Sequence, residues 1–331
     1  MVLAADSNAW ILALIIVAWV VFILGLIYLI AGLVMAKKLM QPKKRTDDYL
    51  IQYESEHKGL DISRLDIPFE DIRLDSDNAD GYRLRARFYE NPDSKKIVVC
   101  SHGFNSSSIS QLKYIHIWQE LGYSVLLPDN TTSGESGGNC ITLGYRERYD
   151  TLKWLNYLKE RFPDHDIGMY GESMGGAITI GSGALFDGKL MFTIVYCTYA
   201  TPKHLAKFWL AARKIPKFIA SLVLPAVYFG AYVLFDVRFH DVSSLRDINR
   251  LPNPVLIMHS RGDRLVNVEN GRLLSKQRPD AVYHEFENSP HCRSWKYYTE
   301  DFEGTIKSFV KDAEAKYYKA AEVAATEEKD A

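Results

Sequence analysis

The chain has 331 residues, is 47% hydrophobic, and balances 40 basic against 41 acidic side chains for a net charge of −1. That length and apolar content suffice for one sizeable catalytic domain with an extension, and the neutral balance gives no basic footprint for nucleic acid. Four cysteines occur without metal-ligand spacing, so no metal and no other cofactor is expected and the thiols read as reduced; a Cys140–Cys292 bridge would follow only from an extracellular location.

No residue from 8 to 36 is charged, and the run is apolar on every helical face. About 28 residues at 1.5 Å each cover about 40 Å, more than the roughly 30 Å of bilayer hydrocarbon, so residues 1–36 are expected to form one N-terminal transmembrane anchor. A cleaved signal peptide would have a basic leader and a shorter apolar core, and this chain has neither. Lys37, Lys38, Lys43, Lys44 and Arg45 follow the run, with no Lys or Arg before it, which predicts a cytoplasmic catalytic domain. Residues 37–67 read as a polar stalk.

Residues 69–74 and 84–89 read as a hairpin around Asp80-Gly81, after which strands and helices alternate as in a mostly parallel sheet covered on both faces. A strand over 96–101 runs into His102-Gly103-Phe104-Asn105. Further strands are expected at 123–127, 167–170 and 191–197, with helices at 110–121, 145–161 and 173–185. Between two of these lies Tyr170-Gly171-Glu172-Ser173-Met174-Gly175-Gly176, a serine between glycines after an apolar run. Such a serine is presented on a sharp strand-to-helix turn, where Gly171 and Gly175 leave room for neighbouring backbone, so Ser173 is the candidate nucleophile. Glu172 beside it reads as facing solvent or pairing locally, in preference to binding a cationic substrate group.

The segment Phe218–Phe235 is uncharged and long enough to suggest a second span. A span there would divide Ser173 from the residues that must assist it, so 201–245 reads instead as a helical cap whose apolar residues pack on the core, line an acyl pocket or touch lipid. Lys203, Lys207, Arg213, Lys214 and Lys217 precede the stretch and favour an anionic surface.

A serine hydroxyl needs a histidine to accept its proton and an acid to fix the tautomer of that histidine. The strand at 254–260 delivers Asp263 at its carboxyl end, and the loop after the strand at 282–286 delivers His291. His259 and His284, inside strands, read as packed or hydrogen-bonded. The oxyanion donors are expected on the backbone of Met174, directly after the nucleophile, and of Phe104, with Asn105 as the alternative to Phe104 and His102 ordering that loop beside Gly103. Helices at 269–277 and 295–318 and a fraying charged tail over 319–331 complete the chain.

The order Ser, Asp, His, the serine elbow and His102-Gly103-Phe104 resemble the α/β-hydrolases, most closely the serine aminopeptidase-like branch, some of whose members carry a membrane-anchored amino terminus. Asp129, the segment from Ser133 to Gly138, and Leu143-Gly144-Tyr145 with Glu147 and Asp150 extend the likeness, which covers residues 68–310. Two departures stand out: Tyr196 occupies a position where relatives often have an acid, and the basic residue usual after Asp129 is missing. The resemblance implies an α/β-hydrolase fold over 68–318 and a membrane-anchored serine hydrolase that cleaves small-molecule or lipid-like acyl esters or thioesters through an acyl-enzyme. A serine peptidase and a non-catalytic binding scaffold are the alternatives.

Overall fold

A computed structural model describes residues 3–330 apart from Ala79 and Arg213, so the basic contribution expected of Arg213 lies outside the described residues. The chain opens with α1 (Leu3–Met40) and α2 (Asp47–Lys58). The antiparallel hairpin β1 (Glu70–Asp75) and β2 (Arg83–Tyr89) leads to β3 (Lys96–Ser101), α3 (Ile115–Glu120), β4 (Ser124–Asp129) and α4 (Glu147–Arg161). Next come β5 (Asp166–Glu172), α5 (Met174–Gly183), β6 (Leu190–Tyr196), α6 (Pro202–Ala212), α7 (Lys217–Phe235) and α8 (Ser244–Asp247). The chain ends with β7 (Val255–Ser260), α9 (Glu269–Gln277), β8 (Val282–Phe286), α10 (Ser294–Tyr297) and α11 (Thr299–Asp330). Among the described residues the eight strands form one sheet in the order β1-β2-β4-β3-β5-β6-β7-β8. The β1–β2 and β2–β4 pairs are antiparallel and all later pairs are parallel.

The central strands β3, β4, β5, β6 and β7 are almost wholly buried, because helices cover both faces; their apolar runs therefore show little alternation. Several boundaries differ from the sequence reading. The helix expected at 110–121 is a 3₁₀ segment (Ser108–Tyr114) followed by α3, and the tail expected to fray from 319 continues α11 to Asp330.

Residues 47–58, inside the segment read as a stalk, form a helix docked on the catalytic body. Thr46 caps α2 by accepting from the Tyr49 N–H, and Gly59 ends it in the left-handed conformation at φ 78°. Its inner face buries Leu50 and Glu54. α6 and α7 pack on each other and line the cleft that opens on Ser173, and α1 packs along α7. The closest approach is between small residues: a Cβ at Gly32 would come within 2.4 Å of the Ala226 carbonyl oxygen, and one at Gly230 within 2.7 Å of the Gly32 oxygen. Tyr28 donates from its hydroxyl to the Leu222 carbonyl at 2.6 Å. The end of α1 is fastened to the catalytic body, with Ile141 N–H donating to the Met40 carbonyl at 2.7 Å and Gln41 Nε2 to the Asn139 carbonyl at 2.9 Å.

Candidate active site

Ser173 sits between β5 and α5 with φ 59° and ψ −118°, a conformation a side chain adopts only where its surroundings enforce it. The enforcement is steric and hydrogen-bonded. A Cβ on Gly171 would lie 2.4 Å from the Gly175 oxygen and one on Gly175 would lie 2.0 Å from the Ser101 oxygen, so backbone approaches the turn from both sides. Ser173 N–H donates to the Tyr196 carbonyl at 2.8 Å, and Thr198 Oγ1 donates to the Ser173 carbonyl at 2.8 Å.

The structure brings Ser173, Asp263 and His291 together from loops after β5, β7 and β8. His291 Nε2 is 2.8 Å from Ser173 Oγ, and His291 Nδ1 is 2.6 Å from Asp263 Oδ2. The other oxygen of Asp263 accepts from the Leu265 and Val266 N–H groups at 2.9 and 2.8 Å. With Nδ1 donating to the carboxylate, Nε2 is left as the acceptor facing the serine. Burial disfavours the charged form of His291, but the adjacent Asp263 outweighs it and raises the imidazole well above its ordinary value. Burial works the other way on Asp263, yet His291 holds its carboxyl below the usual range. The rival acid position is Tyr196, whose hydroxyl accepts from the Ser294 N–H at 2.7 Å.

Phe104 and Met174 flank Ser173 in one cleft. Gly103 passes so close that a Cβ there would be 3.3 Å from Ser173 Cβ. His102 is fully buried, with Nδ1 directed at the Gly103 carbonyl at 2.8 Å and Nε2 accepting from the Asn130 N–H at 2.9 Å. Burial lowers its pKa, and both nitrogens are committed to holding the loop. Asn130 stands where a basic residue is usual and returns a bond from Nδ2 to the His102 carbonyl at 3.0 Å. The cation near Asp129 comes from elsewhere: Arg85 Nη1 on β2 lies 3.4 Å from the Asp129 carboxylate.

Glu172 differs from its sequence reading. It is buried, and it pairs with Lys113 at 3.0 Å and Lys58 at 3.2 Å while accepting from the Tyr114 hydroxyl at 2.7 Å. Two of these partners lie on the 3₁₀ segment and one on α2, so no local pattern around the serine announces them. His259 and His284 behave as packed residues, the first directed from Nε2 at the Val266 carbonyl at 2.8 Å and the second 3.0 Å from Asp301.

All four cysteines are free and buried. Among the described residues, Cys197, His291 and Cys292 form one cluster of possible metal donors and Cys197, His259 and Asp263 another. Both clusters share atoms with the Asp263–His291–Ser173 chain, and burial pushes the Cys197 and Cys292 thiols up, away from the thiolate form a metal requires.

In front of Ser173 opens a cavity of about 470 Å³, within the range of small-molecule sites. Its walls are almost wholly apolar: Tyr199 and Leu205 on one side, Val223, Leu224, Val227 and Tyr228 of α7 on another, and Met35 and Leu39 of α1 on a third. Leu222 points away from it and is exposed.

This sheet order with a strained serine after β5 defines an α/β-hydrolase fold arranged for serine hydrolase chemistry. Comparison with known proteins agrees: the serine aminopeptidase S33 family matches residues 92–253. The chain has the α/β-hydrolase fold, resembles the serine aminopeptidase-like branch of the α/β-hydrolases, and is an esterase- and lipase-like serine hydrolase. It is 28% identical to the Bacillus subtilis protein YqkD over 84% of this chain and 92% of that one. Rat monoglyceride lipase is 23% identical over 68% of this chain and 84% of the lipase. The Pyrococcus furiosus esterase Pf2001 superposes with a TM-score of 0.62 at 21% identity, covering 83% of this chain and 98% of the esterase, which shows the shared fold.

Proposed function

We propose that the protein is a membrane-anchored serine hydrolase that cleaves lipid-like carboxylic esters through an acyl-enzyme, with Ser173 as nucleophile, His291 as base and Asp263 as the orienting acid. The observation that carries this reading is the hydrogen-bond chain from Asp263 through His291 to Ser173 Oγ at the foot of an apolar cavity. Ser173 Oγ attacks the ester carbonyl carbon as its proton passes to His291 Nε2, and the resulting oxyanion is held by the Met174 and Phe104 N–H groups. Collapse expels the alcohol, which takes the proton back from His291. Water then attacks the acyl-serine with its proton passing to His291 Nε2, and collapse breaks the bond to Ser173 Oγ, which takes that proton back as the carboxylic acid leaves.

The apolar lining favours an acyl chain over a peptide, whose backbone amides require polar partners. The likeness to monoglyceride lipase points the same way. Ala9–Met40 is long and apolar enough to cross a membrane, and the basic cluster after residue 36 favours a cytoplasmic catalytic domain. Fluorophosphonate labelling of the full chain, with p-nitrophenyl ester turnover, tests the assignment. Ser173→Ala should lose both, on the order of 10⁴-fold or more for turnover, because such groups act as a unit. Equal turnover in the two proteins would end the Ser173 mechanism, and no labelling or turnover in the wild type would favour a binding scaffold.

A further inference from the structure

We propose that α1 is a wall of the acyl site as well as a tether, and that the substrate is an ester whose acyl chain resides in the bilayer and enters between α1 and α7. The inference rests on the serine hydrolase reading above and names the source of its substrate. Met35, Lys38 and Leu39, on the last turns of α1, line the same cavity as Ser173. They are held there by the seam of small residues, in which Gly32 and Ala36 of α1 meet Ala226 and Gly230 of α7. Close backbone approach through such residues is how helices associate within lipid, where apolar surface alone gives no preference for a partner.

Length permits both roles. Ala9–Met40 comprises 32 residues, of which about 20 cross the roughly 30 Å of hydrocarbon, leaving about 12 for the cavity wall. The outward faces of the pair are apolar as well: Phe218, Leu222, Tyr232 and Val233 of α7 are exposed, as are Ile30 and Val34 of α1. An apolar surface that continues directly from a membrane-crossing helix is covered by the same lipid. Asn105 ties this arrangement to the chemistry, since its Nδ2 donates at 3.1 Å to the Lys43 carbonyl just past α1, one residue from Phe104.

The test uses the full chain in phosphatidylcholine vesicles with p-nitrophenyl acetate and dodecanoate. Each methylene taken up by the cavity raises kcat/KM by at most about fourfold, so the dodecanoate preference is a sensitive gauge of the wall. Gly32→Leu places a side chain against the Ala226 backbone and should reduce that preference at least about tenfold while acetate turnover and probe labelling persist. Gly25→Leu on the same helix, where a Cβ meets nothing within 4 Å, should match the wild type. Should Gly32→Leu lose labelling as well, Met35→Trp decides, because it fills the cavity from α1 without touching the seam and should move the optimum to shorter chains. An unaltered chain-length profile in Met35→Trp, or in a Gly32→Leu protein that still labels, overturns the inference and leaves the hydrolase reading standing. Persistent labelling of Ser173→Ala would instead remove the reading on which the inference rests.

Discussion

Lys58, the last residue of α2, lies 3.2 Å from Glu172, the residue immediately before Ser173 and 114 positions away in sequence. The pair belongs to a set of two ammonium groups and two carboxylates, buried except for the half-buried Lys58, with Lys113 3.0 Å from both Glu172 and Glu54 and Lys58 3.3 Å from Glu54. Burial opposes ionisation of Glu172, but Lys113 and Lys58 prevail and hold its carboxyl at about 2. The set therefore fastens α2 to the backbone of the serine turn.

Glu172→Gln should destabilise the catalytic body by about 3–5 kcal/mol at pH 7, since it leaves the fully buried Lys113 and the half-buried Lys58 facing one carboxylate. Because the folded-state pKa of Glu172 lies below its unfolded value, this contribution is fully present above the ordinary carboxyl range and is lost as pH falls toward 2. Denaturation of detergent-solubilised protein across that range should show the wild-type advantage shrinking on acidification. Equal midpoints at pH 7 would mean that Glu172 is dispensable.

Asp263→Asn keeps the shape of the acid and its acceptor for the Leu265 and Val266 amides but removes the charge beside His291. Turnover should fall by about 10²- to 10⁴-fold as the tautomer is disturbed. A second signature is the acid limb of kcat/KM. His291 must be neutral to accept the serine proton, and Asp263 raises its pKa, so wild-type activity should be lost as pH falls through a value above the ordinary imidazole range. In Asp263→Asn that limb should move to lower pH. An unmoved limb would show that another group titrates.

The features legible in sequence share a physical origin: each is a local constraint that leaves a residue-type signature. The elbow glycines, the buried strands and the loops carrying Asp263 and His291 are of this kind, and β8 and α9 fall at the expected residues. What the sequence hid is tertiary. Lys113, fully buried, looks like any surface lysine until Glu54 and Glu172 converge on it. Gly32 and Ala36 are lost within an apolar run, because a packing seam in a uniformly apolar helix is marked by size and carries no change in polarity. Arg85 reaches Asp129 only because β2 pairs with β4.

Gly175→Ala tests whether the elbow is fixed by backbone contact. The added methyl would lie 2.0 Å from the Ser101 oxygen, a clash no side-chain rotation relieves, so labelling and ester turnover should be lost together with stability. Gly304, inside α11 with open space around its Cβ, provides the contrast. Gly304→Ala should raise stability by about 0.5–1 kcal/mol through helix propensity, with activity unchanged. A Gly175→Ala protein with wild-type turnover would show that the turn can relax.

The cytoplasmic placement proposed for the catalytic domain rests on charge asymmetry, and cysteine accessibility tests it. The four native cysteines are buried, so they compete little with an introduced thiol for a maleimide in the folded protein. Glu56 on α2 is exposed, unlike the neighbouring Glu54 engaged by Lys113, and suits the reporter on the domain side. If the five basic residues from Lys37 to Arg45 retain the following chain in the cytoplasm, Asp6→Cys should react with an impermeant maleimide on intact cells and Glu56→Cys only after lysis. Reaction of Glu56→Cys on intact cells would place the catalytic domain outside, and substrate would then come from the outer leaflet. Reaction of both on intact cells would mean that residues 9–40 lie along the surface without crossing, in which case α1 would line the cavity from the interface.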